Sequence, residues 1–182
     1  MRGSCPCGGE DHRRYGGNTA CVVVEVPGTT TPLILDLGTG LRGVGLGWPE
    51  DRAFQGVALV SHLHWDHLQG LPFFSPLDRE GAVLDVYGPA QEDASLAASV
   101  KDALRPPYFP VRLEDLAGQV RFHDLGEDDL ALGDAKVRVR AVPHLGTNLG
   151  YRVELGGVSL AYVSDHQAPR GLDRVDDAVL EL

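Results

Sequence analysis

Val60-Ser61-His62-Leu63-His64-Trp65-Asp66-His67 places three histidines and an aspartate within six residues, directly after the apolar run Gly56-Val57-Ala58-Leu59-Val60. That run reads as a buried strand, and Leu68-Gln69-Gly70-Leu71-Pro72-Phe73-Phe74 reads as the start of a short helix near Leu68. Imidazole and carboxylate are usual ligands of Zn²⁺ and also serve Mn²⁺ and Fe. In an extended segment, side chains two apart point the same way, so His62 and His64 can share one metal. Asp66 and His67 arrive as the chain turns and can face a second. The bland alternative is three solvated loop histidines beside an unrelated carboxylate. So dense a set of ligand types straight after a buried strand weighs against it.

Upstream, residues 20–26 are nearly all apolar or β-branched and predict a strand, closed by a Pro27-Gly28 turn. Leu33-Ile34-Leu35 predicts a second buried strand, ending in Asp36-Leu37-Gly38-Thr39-Gly40. An acid followed by glycines at a strand end suits the mouth of a site, where it can orient a ligand from behind. A turn-stabilising Asp reads equally well. Before that, residues 1–9 are loop-like; Cys5, Cys7 and His12 lack a fourth ligand and match no common zinc spacing, so they read as reduced, partly buried thiols beside a histidine.

Downstream, a strand is predicted over 83–87 and an amphipathic helix over 91–105, with Leu96, Val100 and Leu104 four apart and Pro106-Pro107 stopping it. Tyr108 and Phe109 read as plugs between helix and sheet, with a substrate-pocket wall as the alternative. Trp65, Leu68, Leu71, Phe73 and Phe74 read as core or pocket wall. A strand over 120–122 precedes His123, an edge or surface residue, and the solvated turn Glu127-Asp128-Asp129. Residues 136–142 alternate polar and apolar and end at Pro143-His144. Strands over 149–155 and 158–163 flank Gly156-Gly157, a two-residue hairpin signal, and lead to Ser164-Asp165-His166. The last residues read as the beginning of a helix.

With 182 residues, the chain suits one domain over 1–182. No apolar stretch approaches the roughly 20 residues of a membrane span, and no signal-peptide pattern opens the chain. The expectation is a cytoplasmic protein without membrane contact. Its net charge of -10 argues against an extended nucleic-acid surface. A small anionic substrate stays compatible, because two divalent cations would add about +4 inside a cleft.

These segments together resemble the metallo-β-lactamase-fold hydrolases. His-x-His-x-Asp-His is similar to that superfamily's signature. Arg2-Gly3-Ser4, Tyr15-Gly16-Gly17-Asn18-Thr19, Leu35-Asp36-Leu37-Gly38-Thr39-Gly40 and Pro106-Pro107-Tyr108-Phe109-Pro110-Val111 look like its phosphoribosyl cyclic-phosphate and cyclic-nucleotide phosphodiesterase-like branch. The resemblance implies an α/β fold, an αββα sandwich of two mixed sheets with helices outside and metals at one sheet edge. It implies that His62, His64 and His144 hold metal one, that Asp66 and His67 belong to metal two, and that Asp165 bridges them. Asp66 would also be catalytic, orienting a metal-held hydroxide. His166 matches a residue often present in the branch, with no role attached.

The implied cofactors are two divalent ions, Zn²⁺ or Mn²⁺, and the implied reaction is attack on a small phosphodiester, cyclic ones included, by water whose pKa the metals lower from 15.7 to roughly 7. Nucleases of the tRNA 3′-processing type and thioester or lactam hydrolases share these ligands. The expected partner is a small anionic phosphodiester, and a homodimer is allowed. Family members supply a further histidine to metal two from beyond the bridging aspartate, and a first strand before the Arg-Gly-Ser segment. This sequence has neither, so it reads as truncated at both ends, with an incomplete second site; a metal-binding but inactive fragment is the alternative.

Overall fold

The computed structural model describes residues 3–25, 30–167 and 174–182. Its first sheet has five strands in sequence order: β1 (Val22–Val24), β2 (Leu33–Leu35), β3 (Gln55–Leu59), β4 (Val83–Pro89) and β5 (Gln119–Leu125). β1 pairs antiparallel to β2, and the other three pairings are parallel. Each parallel pairing needs a crossover. Helix α1 (Gly40–Gly47) lies between β2 and β3, and helix α2 (Leu96–Ala103) lies between β4 and β5. The crossover from β3 to β4 carries the histidine-rich stretch, so the ends of β2 and β3 bring Asp36 and His62 to one edge. That edge is where open parallel sheets place their sites.

The second sheet is an antiparallel meander of β6 (Leu130–Leu132), β7 (Ala135–Ala141), β8 (Leu149–Leu155) and β9 (Val158–Tyr162). Gly156 and Gly157, at φ 59° and 83°, make the two-residue turn between β8 and β9. Both need the left-handed backbone that glycine adopts freely. One apolar cluster packs α1 and α2 on the first sheet, through Leu41, Phe54, Leu84, Leu96 and Val100. A second lies between the sheets, through Leu35, Leu59, Val139, Tyr151 and Val153. Helix α3 (Asp177–Leu180) lies against β7, where Arg140 Nε donates to Glu181 at 2.7 Å. The layers run helix, sheet, sheet, helix, as the resemblance implied, but only the first sheet is mixed; the second is antiparallel throughout, because its strands follow one another through short turns that cannot make parallel crossovers.

Several local expectations shift. The helix predicted near Leu68 is replaced by three short 3₁₀ turns, Trp65–His67, Leu71–Phe73 and Ser75–Leu77. Pro72 and Pro76 lack the N–H groups that a longer helix needs in its interior. The helix predicted over 91–105 covers only Leu96–Ala103, because Ser95 caps it by accepting from the Ala98 N–H and Asp124 accepts from the Leu96 N–H at 2.7 Å. Helix α1 was not predicted, and its four glycines explain why. The strand over 20–26 narrows to β1, and Val26 and the Pro27-Gly28 turn lie outside the described residues. The strand over 120–122 lengthens to β5, and β6 adds a strand after the acidic turn.

Leu68, Leu71 and Phe74 are core, whereas Trp65 and Phe73 are exposed. Phe109 packs edge-on to Phe73, ring centroids 5.8 Å apart, while Tyr108 is exposed and plugs nothing. Cys5 is also exposed, contrary to the partly buried reading, and all three thiols are free. His123, on edge strand β5, bonds Asp85 at 2.8 Å and stacks on Tyr87. No described helix is long and apolar enough to cross a membrane.

Candidate metal centre

Six side chains named from the sequence meet at the edge of the two sheets, in two groups. In the first, one ligand atom each from His62, His64, His144 and Asp165 lie within 4.8 Å of one another. His64 Nδ1 is 2.9 Å from His62 Nε2 and 3.2 Å from His144 Nε2. Three imidazoles turn nitrogens toward one point. A tetrahedral cation at about 2.0–2.1 Å from each nitrogen would need them about 3.3 Å apart, so this donor set fits such an ion with small adjustments. The second group is Asp66, His67 and Asp165. His67 Nε2 is 3.4 Å from Asp66 Oδ2 and 3.6 Å from Asp165 Oδ1. Asp165 Oδ2 instead faces the first group, 3.7 Å from His144 Nε2 and 3.9 Å from His62 Nε2. One carboxylate thus turns an oxygen to each group.

What aims these donors is Asp36. It is fully buried and held at φ 60°, a left-handed backbone that costs a non-glycine residue about 1–3 kcal/mol. Its Oδ2 accepts from His67 Nδ1 at 2.7 Å and from the Tyr162 hydroxyl at 2.8 Å. Its Oδ1 accepts from the Ser61 N–H at 2.7 Å. The Ser61 hydroxyl donates to the same carboxylate, at 2.8 Å to Oδ2, and lies 3.0 Å from His62 Nδ1, from which it can accept. Each ring therefore spends its Nδ1–H behind the site and presents the lone pair of Nε2 to the front, an arrangement that fixes the tautomer of a metal-binding histidine.

The charges follow from this geometry. Burial, and then the neighbouring rings of His67, His64 and His144, push His62 down to about 3, which keeps its ring neutral and able to donate a lone pair. Burial pulls His67 down too, but its hydrogen bond to Asp36 and the Asp36, Asp66 and Asp165 charges outweigh it, so its pKa is raised. A cation on Nε2 would displace that proton. Burial, with Asp36 beside them, raises Cys21 to about 12 and lifts Tyr162 well above the ordinary phenol range, so both stay neutral.

Of the two sequence readings of Asp36, the geometry favours the first: its carboxylate holds the His67 ring and Ser61 rather than closing a turn. Ser61, Tyr162 and Ser4 were not read as part of the site. The Ser4 N–H donates to Asp66 Oδ2 at 2.8 Å, bringing the N-terminal segment over the second group. Ser61 adjoins His62 and Tyr162 lies three residues before Asp165; that proximity to strand-end ligands was the signal available.

The chain is 28% identical over 142 residues to a ribonuclease Z of Natronomonas pharaonis, covering 74% of this chain and 41% of that protein. It is 33% identical over 107 residues to a ribonuclease Z of Shouchella clausii, covering 56% of this chain and 34% of the relative. The chain thus spans well under half the length of these curated relatives. Among solved structures, a diphosphatase from the PhnP family superposes with a TM-score of 0.65 at 22% identity, covering 98% of this chain and 62% of that one. The sequence profile described as the Beta-lactamase superfamily domain matches residues 49–180, from before the histidine-rich turn to α3. With the sandwich and the clustered donors in place, that match makes the chain a member of the beta-lactamase superfamily, with the metallo-β-lactamase fold.

Proposed function

We propose that this protein is a hydrolase of phosphodiesters that works with a pair of divalent cations, Zn²⁺ or Mn²⁺. His62, His64 and His144 would hold one cation, Asp66 and His67 the other, and Asp165 both. The observation that carries the reading is the placement of Asp165, with Oδ2 toward one donor group and Oδ1 toward the other. When bound, the pair lowers the pKa of a water it holds and offsets negative charge building on a phosphoryl group. The protein's own part is orientation. Asp36 and Ser61 keep His62 and His67 facing forward, and the Ser4 N–H pins Asp66 Oδ2 beside His67 Nε2, where Asp66 would orient a cation-held water. The three free thiols suit a reducing compartment such as the cytoplasm.

The names ribonuclease and diphosphatase both denote cleavage at phosphorus, which supports this reaction class. The net charge of -10 favours a small diester, cyclic nucleotides included, over a long RNA. The ribonuclease relatives favour RNA as the second reading. Metal content per chain, with hydrolysis of bis(p-nitrophenyl) phosphate, a 2′,3′-cyclic nucleotide and a tRNA precursor, separates them. The expected outcome is two cations per chain and turnover of the small diesters. Turnover of the precursor alone selects the ribonuclease, and a chain that binds no cation sinks both. His64→Ala should lose cation and hydrolysis together. Asp165→Asn should weaken the second cation, held by three donors, more than the first, held by four; unchanged binding and activity would remove it from the bridge.

A further inference from the structure

Among the described residues, the only two besides glycine with a left-handed backbone are Ser4 and Asp36, both at φ 60°. Each holds one member of the second donor group. Asp36 Oδ2 accepts from His67 Nδ1, and the Ser4 N–H donates to Asp66 Oδ2 at 2.8 Å. Ser4 is the centre of a three-residue turn, closed by the Cys5 N–H donating to Gly3 O at 2.7 Å. Turns of this hand are rare and strained, and a non-glycine residue keeps one only where its surroundings demand it.

Asp66 is 6% exposed, and among the described residues the Ser4 N–H is the one hydrogen-bond donor to its carboxylate. It is also the one hydrogen bond, among those residues, that ties residues 3–16 to anything beyond residue 17. At residue 17 the Cys7 N–H donates to Gly17 O at 2.9 Å, so closely packed that a Cβ on Gly17 would lie 1.6 Å from Cys7 O. Thr19 and Thr39 then exchange two hydrogen bonds of 2.9 Å, each N–H to the other's hydroxyl. The N-terminal segment is therefore a strap, fixed at one end to the loop that follows Asp36 and at the other to Asp66. We infer that Ser4 is a positioning residue for the second cation: its strained turn aims the N–H at Asp66 and fixes the rotation of that carboxylate. Closing of the strap and filling of the second group are then coupled, and the coupling runs both ways. This role rests on the reading of Asp66 as a ligand; the tie itself does not.

Amide hydrogen exchange, followed by NMR in the cation-free protein, tests the tie. The Ser4 amide should exchange slowly although the residue is exposed, and Asp66→Ala should abolish that protection. Rapid exchange in the unsubstituted protein overturns the inference outright. Titration with Co²⁺, followed by its visible spectrum, reports each cation separately. An ester in place of the Gly3–Ser4 amide removes the N–H and keeps every side chain; ligating a synthetic 1–4 thioester to residues 5–182 at Cys5 supplies it. With its fold checked by circular dichroism, the ester should weaken the second cation about 10–100-fold and leave the first unchanged. Ser4→Val keeps an N–H but resists the left-handed turn, and should lose second-cation affinity too. Ser4→Gly, which adopts that turn freely, should recover most of the loss. A silent ester overturns the positioning role, and equal affinities for Ser4→Val and Ser4→Gly overturn the part given to the turn. If Asp66→Ala itself left the second cation in place, the reading of Asp66 as a ligand would fall instead.

Discussion

At the scale of single residues, Asp36 is the hinge of the site. Its carboxylate bonds His67, Ser61 and Tyr162 at once, from a backbone conformation that a non-glycine residue avoids. Asp36→Asn keeps the volume but removes the charge and one acceptor. The expected result is a loss of second-cation affinity of about 10–100-fold in competition with a chromophoric chelator, because the His67 ring loses its rear anchor. Unchanged affinity would show that His67 needs no such anchor. Tyr162→Phe removes one hydrogen bond to the same carboxylate and should cost about 1.5–3 kcal/mol in urea unfolding, the range for a bond to a charged group. The candidate donors were legible in the sequence, four of them from imidazole and carboxylate at short spacing, and His144 and Asp165 through the family resemblance at strand ends. Ser61 and Tyr162 were not, because a serine and a tyrosine gain their meaning only from an aspartate 25 or 126 residues away.

At the scale of elements, the metal turn depends on close backbone contact with the loop after β2. A Cβ built on Gly70 would lie 1.9 Å from Gly38 O, and one on Gly38 would lie 2.5 Å from Asp66 O. Neither partner is a side chain that can swing away. Gly70→Ala should destabilise the protein by about 3 kcal/mol, measured by urea unfolding, and should weaken cation binding as the turn is pushed outward. A neutral effect would mean the loops separate easily. Strands were legible here, since β-branched runs and alternation survive in the sequence. Helices were less so: α1 carries four glycines and forms because its apolar face packs on the first sheet through Leu41, a tertiary effect that propensity does not register. The turns after His67 were misread because apolar content suggests a helix where Pro72 and Pro76 forbid a long one.

At the scale of the whole molecule, the site is a seam. His62, His64, Asp66 and His67 come from the crossover after β3, whereas His144 and Asp165 come from the second sheet. The Tyr151 hydroxyl reaches Val60 O at 2.6 Å, and the Leu149 N–H reaches Ser61 O at 2.8 Å, so the two sheets are laced along the same edge. A cation shared across that seam should stabilise the folded state by mass action. Adding Zn²⁺ at 100 times its dissociation constant should contribute about 2.7 kcal/mol, and a chelator should lower the melting temperature correspondingly. Identical melts with and without cation would mean that the seam holds no ion. The position of Asp165 in the chain has one more consequence, for the timing of maturation. A nascent polypeptide cannot own either complete donor group until the ribosome has passed residue 165 and that stretch has cleared the exit tunnel. Capture of a cation by either complete group therefore cannot precede the synthesis of residue 165, and a translation product stalled before that codon carries the histidines without the carboxylate that faces both groups.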